Sequence, residues 1–263
     1  MHPILRVEEL TPDVVLLDAR PRVAYDGGHL AGARNADVDV ELSARDDPAY
    51  GGRHPLPPLE RWLARLGAWG IEPSTRVVIY DDQQGANAAA RAWWMLRRVG
   101  HENVAVLDGR WQDLPQTTDE PRIDPKPPYP ATQWLRPTVT LEEVDALRLD
   151  PRWKVLDVRS APRYRGETEP IDPIAGHIPG ALNLPYFENL DGDRFKSPDA
   201  LRAQYESLLG DTPPEHLVVH CGSGVTACHT LLALEAAGLT GAALYVGSWG
   251  EWCRRFVSDR SRV

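Results

Sequence analysis

Residues 217–227 read LVVHCGSGVTA. The apolar run 217–220 predicts a buried strand, and the leucines that follow Ala227 predict a helix. Cys221 therefore lies where a strand ends and a helix is about to begin. Unpaired backbone N–H groups and the positive end of the helix dipole favour an anion there, and a thiolate is such an anion. Cys221 is the candidate nucleophile, and a buried structural cysteine is the alternative interpretation.

The chain contains an internal repeat. Four stretches of the first half return in the second half in the same order, and the matched pairs are residues 17–20 with 156–159, 28–35 with 176–183, 77–80 with 217–220, and 107–111 with 245–249. A repeat of this length is a domain rather than a solenoid unit of about 20–50 residues. We therefore predict two domains, 1–114 and 138–263. Residues 115–137 contain seven prolines, which favour an extended connector.

Each half alternates short apolar, β-branched runs with longer periodic stretches. The predicted strands are Val14–Leu17, Val77–Tyr80, Val104–Leu107, Val155–Val158, Leu217–His220 and Ala242–Val246. The predicted helices include 59–66, 88–99, 201–209 and 227–237. Buried strands linked by helices indicate an α/β fold in which a parallel sheet carries helices on both faces. Functional residues of such folds lie at the carboxyl ends of the strands, where Cys221 is found.

The composition excludes several classes of protein. Apolar residues make up 42% and charged residues 25%, as in ordinary globular chains, and no apolar run approaches the roughly 20 residues that span a bilayer. A net charge of −9 argues against a nucleic-acid partner. The three cysteines lack metal-ligand spacing, which suits a reducing compartment. With no charged-then-apolar leader after Met1, we expect a cytoplasmic protein without a membrane partner.

The loop that begins at Cys221 resembles the active-site loop of the rhodanese superfamily, and within it that of the 3-mercaptopyruvate sulfurtransferases. The resemblance implies two rhodanese-like domains that transfer sulfur through a cysteine persulfide, without a metal or organic cofactor. It implies that the substrate sulfur is bound by the loop residues Gly222, Gly224, Val225 and Thr226. The first copy carries Asp81 at the position of Cys221. Because an aspartate cannot accept and pass on a sulfur atom, we predict that the first domain is catalytically silent.

The resemblance also implies a proton relay. The stretch 35–57 is similar to the family segment that carries an aspartate and a histidine facing the catalytic loop. His54 fits the histidine and Asp39 fits the aspartate, with Asp37 as the alternative carboxylate. Together with Ser223 they would form an Asp-His-Ser relay. The alternative is an ordinary loop histidine with acidic surface neighbours.

A third implication concerns the substrate carboxylate. Arg163 falls at the position of a family arginine that binds this group, and a guanidinium suits a carboxylate bidentately. Vertebrate members carry a second arginine farther along the same loop, but residues 170–174 contain none. Arg165 or an arginine of the first domain is expected to substitute. A plain surface charge is the alternative interpretation of Arg163.

The predicted reaction moves sulfur from 3-mercaptopyruvate to a second thiol, such as thioredoxin or a small thiol, or to cyanide. Thiosulfate is the alternative donor, although thiosulfate enzymes resemble Cys-Arg-Lys-Gly in this loop and Gly222-Ser223 lacks both cations. A cysteine phosphatase or arsenate reductase needs an arginine six residues after the cysteine, where this chain has Ala227. A non-enzymatic sulfur carrier is the remaining alternative.

Several other residues are assigned structural roles. The repeated pairs Asp18/Arg20 and Asp157/Arg159 are predicted to form ion pairs at strand ends, and His29 and His177 to orient turns. Cys228 and Cys253 are predicted to pack away from Cys221, with a regulatory thiol as the alternative for Cys253. Trp249 and Trp252 either line the pocket or pack in the core.

Overall fold

The computed structural model describes residues 1–86, 88–135 and 138–257. The described residues divide into two compact units. Unit 1 comprises residues 1–44, 57–135 and 192–195, and unit 2 comprises residues 45–56, 138–191 and 196–257. Pro137, the last residue of the predicted connector, and residues 258–263 of the predicted second domain lie outside the described residues.

Unit 1 follows the predicted alternation of strands and helices. Its elements are β1 (Ile4–Arg6), β2 (Val15–Asp18), α1 (Arg22–Asp26), β3 (His29–Leu30), β4 (Arg34–Asn35), α2 (Leu59–Ala68), β5 (Val77–Tyr80), α3 (Ala89–Arg97), β6 (Val104–Asp108) and β7 (Gln116–Thr117). Five strands form a parallel sheet in the order β1-β6-β5-β2-β4. Every residue of the central strand β5 is buried, as expected of a strand that is covered on both faces.

Unit 2 repeats this topology. Its elements are β8 (Thr138–Val139), α4 (Leu141–Leu147), β9 (Lys154–Asp157), α5 (Ala161–Tyr164), β10 (Leu182–Asn183), β11 (Leu190–Asp191), α6 (Pro198–Leu209), β13 (Leu217–His220), α7 (Ala227–Ala236), β14 (Ala243–Tyr245) and α8 (Ser248–Trp252). The short strand β12 (Arg194–Phe195) lies between β11 and α6 in the chain but belongs to unit 1. The parallel sheet has the order β10-β9-β13-β14-β8. This is the unit 1 order with each strand replaced by its repeat partner, which confirms the predicted α/β fold and its duplication.

The strand-end ion pairs are present in both units, as predicted. They are Asp18–Arg20 and Asp157–Arg159, each with 2.6 Å between the arginine Nη2 and the aspartate Oδ2. Both carboxylates are completely buried, where an ion pair needs a partner in good geometry. His29 and His177 stack on tyrosine rings, with centroids 3.8 and 3.9 Å apart. Both histidines therefore have structural roles.

The proline-rich stretch docks on unit 1 along most of its length. Strand β7 pairs antiparallel with β3. Farther along, the Lys126 N–H donates to the Gly67 carbonyl at 2.8 Å, and the Tyr129 N–H donates to the Leu63 carbonyl at 3.0 Å. A Cβ on Gly67 would lie 2.3 Å from the Pro127 carbonyl oxygen, so only glycine permits this approach to helix α2. The extended conformation was predictable, because proline disfavours helix, but the docking partner was not.

Within the described part of the chain, no helix combines the length and the apolar character needed to cross a membrane.

Candidate active site around Cys221

Cys221 follows the central strand β13 directly and has 3% of its surface exposed. Its N–H donates to Ser248 Oγ at 3.2 Å, and its carbonyl accepts from the Trp249 N–H at 3.0 Å. The Ser223 N–H faces the Cys221 sulfur at 3.5 Å. Helix α7 begins at Ala227, as predicted. The sulfur is therefore held by the loop backbone on the N-terminal side of a ten-residue helix.

The two glycines of the loop have different surroundings. Gly224 has a φ of +73°, and a Cβ on it would lie 2.4 Å from the Val246 carbonyl oxygen. Gly222 has no left-handed backbone. A Cβ on Gly222 would instead lie 2.8 Å from Arg53 Nη2 and 3.4 Å from Arg163 Nη2. Gly224 thus lets the loop pack on the turn after β14, whereas Gly222 leaves room for two guanidinium groups beside Cys221.

The equivalent loop of unit 1 is built around Asp81. Its carboxylate accepts four backbone N–H groups, which are Gln83 and Gly85 at 2.8 Å on Oδ1 and Ala88 and Ala89 at 3.0 Å on Oδ2. Burial raises the pKa of Asp81, and these hydrogen bonds oppose that rise. The loop that would hold a sulfur anion therefore holds a carboxylate of its own. This geometry agrees with the predicted silence of the first copy, which stays a prediction.

The other two cysteines are bonded to backbone carbonyls. The Cys228 thiol donates to the Gly224 carbonyl at 3.4 Å, and the Cys253 thiol approaches the Gly250 carbonyl at 3.6 Å. Both side chains are completely buried. Burial raises the pKa of Cys253 to about 11, so it is a thiol rather than a thiolate at neutral pH. These contacts support structural roles for both residues.

His220, which precedes the cysteine, is completely buried. Burial lowers its pKa, and the attraction of Asp157, whose Oδ2 lies 3.9 Å from Nε2, opposes the shift. Nδ1 lies 3.1 Å from the Cys221 carbonyl oxygen, to which it donates as a neutral ring. His220 therefore orients the loop rather than supplying a positive charge.

Arg163, at the end of α5, is fixed by carboxylates. Its Nη2 lies 2.6 Å from Glu169 Oε1 and 3.8 Å from Asp172 Oδ2. Burial alone would raise the pKa of Glu169, but its hydrogen bonds from Arg163 and from two backbone N–H groups outweigh burial and hold that pKa below its ordinary value. Arg163 is thus a pre-positioned guanidinium next to Gly222.

Residues 45–56, here called the 45–56 segment, belong to unit 2 by their contacts, although the sequence predicts a continuous first domain over 1–114. The Gly51 N–H donates to Glu251 Oε1 at 2.8 Å, and a Cβ on Gly52 would lie 2.4 Å from the Gly247 carbonyl oxygen. Arg53 Nε lies 3.2 Å from Asp172 Oδ1. These contacts join positions far apart in the chain, so no local pattern in the sequence could reveal them.

The predicted relay residues fall in different units. His54 follows Arg53 in the 45–56 segment and is half-buried, as part of unit 2. Asp39 is exposed in a turn of unit 1, where its N–H donates to Asp37 Oδ1 at 2.9 Å. The alternative carboxylate, Asp37, also accepts the Arg22 N–H at 2.9 Å on Oδ2 and is thereby committed to its turn. The relay stays a prediction.

The remaining candidates lie at the surface or in the core. Arg165 pairs with Glu167 at 2.6 Å, and its side chain is 53% exposed. Trp249 and Trp252 are both buried in the core cluster of unit 2, so core packing is the correct interpretation for them. Among the described residues, no group of three or more His, Cys, Asp or Glu side chains is arranged to hold a metal ion. The sequence reasoning did not single out Arg53 or Asp172.

A family model described as the rhodanese-like domain matches the chain twice, over residues 6–114 and 140–255. The chain belongs to the rhodanese-like family. It is 42% identical, over 258 residues, to a probable 3-mercaptopyruvate sulfurtransferase of Pseudomonas aeruginosa, covering 92% of this chain and 89% of that relative. It is 37% identical, over 262 residues, to a putative thiosulfate sulfurtransferase of Mycobacterium tuberculosis, covering 91% and 87%.

Among solved structures, 3-mercaptopyruvate sulfurtransferase from Leishmania major matches this rhodanese-like chain with a TM-score of 0.84 at 30% identity, covering 98% of this chain and 76% of that one. Both matched ranges of the family model include the strand-loop-helix stretch that carries Asp81 or Cys221. The resemblance drawn from the loop and the repeat is therefore confirmed over nearly the whole length of the chain.

The docking of the 45–56 segment can be tested with a matched pair of glycine substitutions. Gly52→Ala combines a left-handed φ of +76° with a backbone clash, whereas Gly32→Ala has a φ of +81° and no atom within 4 Å of the added Cβ. We expect Gly32→Ala to cost about 1 kcal/mol, the penalty of the backbone conformation alone. Gly52→Ala should cost more and should speed amide exchange in the 45–56 segment, measured by hydrogen–deuterium exchange with mass spectrometry. Equal exchange in the two variants would contradict this docking.

Proposed function

We propose that this chain takes sulfur from 3-mercaptopyruvate and passes it, through a persulfide on Cys221, to a thiol or to cyanide. The observation that carries the proposal is the approach of Arg163 to Gly222, which puts a carboxylate-binding group one residue from the nucleophile. The loop residues 221–226 contain no cationic side chain of their own. The names of two similar proteins, the Pseudomonas aeruginosa relative and the Leishmania major structure, support the same donor.

In the first half-reaction the Cys221 thiolate attacks the donor sulfur. An S–S bond forms and the C–S bond breaks, with its electron pair passing to the donor's C3 as the enolate of pyruvate. The proton of the donor thiol is transferred to C3, where it takes the place of the departed sulfur. Pyruvate then leaves, and Cys221 remains as a persulfide anion. Both sulfur atoms are formally oxidised in this step, and C3 is reduced. No external oxidant is needed.

The loop can hold the persulfide because the Ser223 N–H already faces the Cys221 sulfur. Asp81 supports this role, since the same loop of the first copy binds a carboxylate with four amides. The loop residues Gly222, Gly224, Val225 and Thr226 are the proposed sulfur-binding backbone. In the second half-reaction the acceptor thiolate attacks the outer sulfur and releases Cys221 as a thiolate.

Proton transfer to C3 is assigned to His54 and Ser223, with Asp39 orienting the imidazole. A positioned acid or base of this kind contributes to the rate rather than to the binding of the donor. The proposed acceptors are thioredoxin, a small thiol or cyanide, and the proposed location is the cytoplasm, where reduced thiols are abundant.

Thiosulfate is the second candidate donor. One named relative supports it, and the second guanidinium beside Gly222 would also attract a dianion. A sulfur carrier without turnover is the remaining alternative. Steady-state kinetics with each donor separate the three possibilities.

The nucleophile can be identified by substitution of each cysteine. Cys221→Ser should abolish sulfur transfer, because the hydroxyl cannot carry the sulfur, whereas Cys228→Ser and Cys253→Ser should keep most of it. After donor treatment without acceptor, peptide mass spectrometry should find one added sulfur atom on Cys221. A persulfide found chiefly on Cys253 would refute the assignment.

The donor preference tests the proposed function directly. Because the loop lacks cationic side chains and Arg163 suits a carboxylate, kcat/KM should be higher for 3-mercaptopyruvate than for thiosulfate, measured side by side with cyanide as acceptor. Equal or better use of thiosulfate would favour the second candidate. Stoichiometric loading of Cys221 without turnover on either donor would indicate a carrier.

The relay predicts a specific kinetic signature. His54→Ala should lower kcat on 3-mercaptopyruvate by roughly 10²–10⁴, the usual contribution of a positioned acid or base. His2→Ala, at an exposed histidine, is the matched control and should leave kcat unchanged. If His54→Ala retains the parental kcat, proton transfer must instead involve Ser223 and solvent.

A further inference from the structure

Two guanidinium groups converge on the loop that carries Cys221. A Cβ added at Gly222 would lie 2.8 Å from Arg53 Nη2, 3.4 Å from Arg163 Nη2 and 3.7 Å from Arg163 Nη1. Arg163 comes from α5, whereas Arg53 comes from the 45–56 segment, and both belong to unit 2. Any side chain at position 222 would occupy the space between them. Glycine there leaves room for both guanidinium groups next to the proposed nucleophile.

Arg53 forms an ion pair with Asp172. Its Nε lies 3.2 Å from Asp172 Oδ1, while its Nη2 lies beside Gly222. The Asp172 side chain is completely buried, and the Arg53 side chain is 19% exposed. A guanidinium that is largely buried and ion-paired loses less conformational entropy on binding a ligand than an exposed one does. Arg53 is thus positioned before any donor arrives.

The charges around Asp172 favour an incoming anion. Arg254 Nη1 lies 3.0 Å from Asp172 Oδ1, and Arg163 approaches Oδ2 at 3.8 Å. One buried carboxylate is therefore shared by three guanidinium groups, while Glu169 is also shared between Arg163 and Arg159. The two carboxylates thus hold more guanidinium groups than they can neutralise. A further carboxylate next to Gly222 would find hydrogen-bond donors already in place.

The loop that follows Arg163 supplies no second arginine at residues 170–174. Asp172 itself occupies that stretch and points toward Arg53. Arg165 pairs with Glu167 at the surface, with its side chain 53% exposed. The expected substitute from elsewhere in the chain is therefore Arg53.

We propose that Arg53 is the second guanidinium that binds the donor's carboxylate, opposite Arg163, and that Asp172 positions it. The inference rests on the proposed function, since it assumes a donor with a carboxylate. Two guanidinium groups can bind both carboxylate oxygens at once, which orients the donor sulfur toward Cys221 as well as binding it. Arg53 is therefore a determinant of donor specificity that the 45–56 segment brings to the site.

Two donors separate carboxylate binding from other effects. The first is 3-mercaptopyruvate, and the second is mercaptoacetone, which keeps the thiol and the ketone but lacks the carboxylate. With 3-mercaptopyruvate, Arg53→Ala should raise KM roughly 10- to 100-fold and change kcat far less, because a charge-assisted contact of the bound donor is lost. With mercaptoacetone, the same variant should keep the parental kcat/KM. Arg53→Lys, which keeps the charge but not the fork, should give an intermediate KM for 3-mercaptopyruvate.

A binding measurement makes the test independent of turnover. Pyruvate retains the carboxylate but has no sulfur to transfer, so its dissociation constant, measured by calorimetry, should rise in Arg53→Ala as KM does. Arg152→Ala is the control for loss of a surface arginine, because the Arg152 side chain is 76% exposed and forms an ion pair with Asp150. It should leave both quantities unchanged.

The outcomes distinguish a failure of the role of Arg53 from a failure of the proposed function. An unchanged KM and pyruvate affinity in Arg53→Ala, in a parent that turns over 3-mercaptopyruvate, would overturn the role of Arg53 alone. An equal loss with both donors would also overturn it, because the defect would then lie in the reacting atoms or the fold. A parent that does not use 3-mercaptopyruvate at all would instead refute the proposed function, and pyruvate binding would still test the carboxylate site.

Discussion

Backbone N–H groups at the end of a buried central strand need an acceptor, and both units are organised around that requirement. In unit 1 the acceptor is the carboxylate of Asp81, which takes four amides at 2.8–3.0 Å. In unit 2 the same position holds the sulfur of Cys221, faced by the Ser223 N–H. One duplicated backbone thus serves two purposes. The first copy satisfies its loop with a side-chain carboxylate, and the second places the Cys221 sulfur at the equivalent position.

A second constraint is the buried carboxylate of Asp172. An unpaired charge at this depth would be costly, so the surrounding arginines are held in fixed positions by it. Arg53 and Arg254 bind the same oxygen, and Arg163 approaches the other. The result is a cationic group of side chains beside a loop that has no cation of its own. Attraction of an anionic donor therefore depends on residues outside the loop, in a chain whose net charge is −9.

The 45–56 segment shows why contacts, and not chain continuity, define the functional unit. At Gly52 the segment backbone approaches the Gly247 backbone so closely that a side chain there would clash. Glu251 accepts a hydrogen bond from the Gly51 N–H of the same segment. Glu251 also accepts the Tyr245 hydroxyl at 2.9 Å, so the docking site is a buried polar cluster with satisfied partners. Arg53 and His54 reach unit 2 through this segment. By chain order these two residues belong to the first predicted domain, but by their contacts they belong to unit 2.

The sequence by itself determined the features that local pattern encodes. Short apolar runs predict strands such as 217–220, and the repeat predicts the second copy of the sheet. The cysteine between strand and helix predicts the position of the nucleophile. These features are readable because periodicity and helix-end chemistry act over a few residues. Only the tertiary structure decided which side chains surround Cys221. Arg53 meets Asp172, and both Arg53 and Arg163 reach Gly222, through contacts between distant parts of the chain. Such contacts leave no periodic signal in the sequence, since they depend on packing that exists only after the sheet has formed.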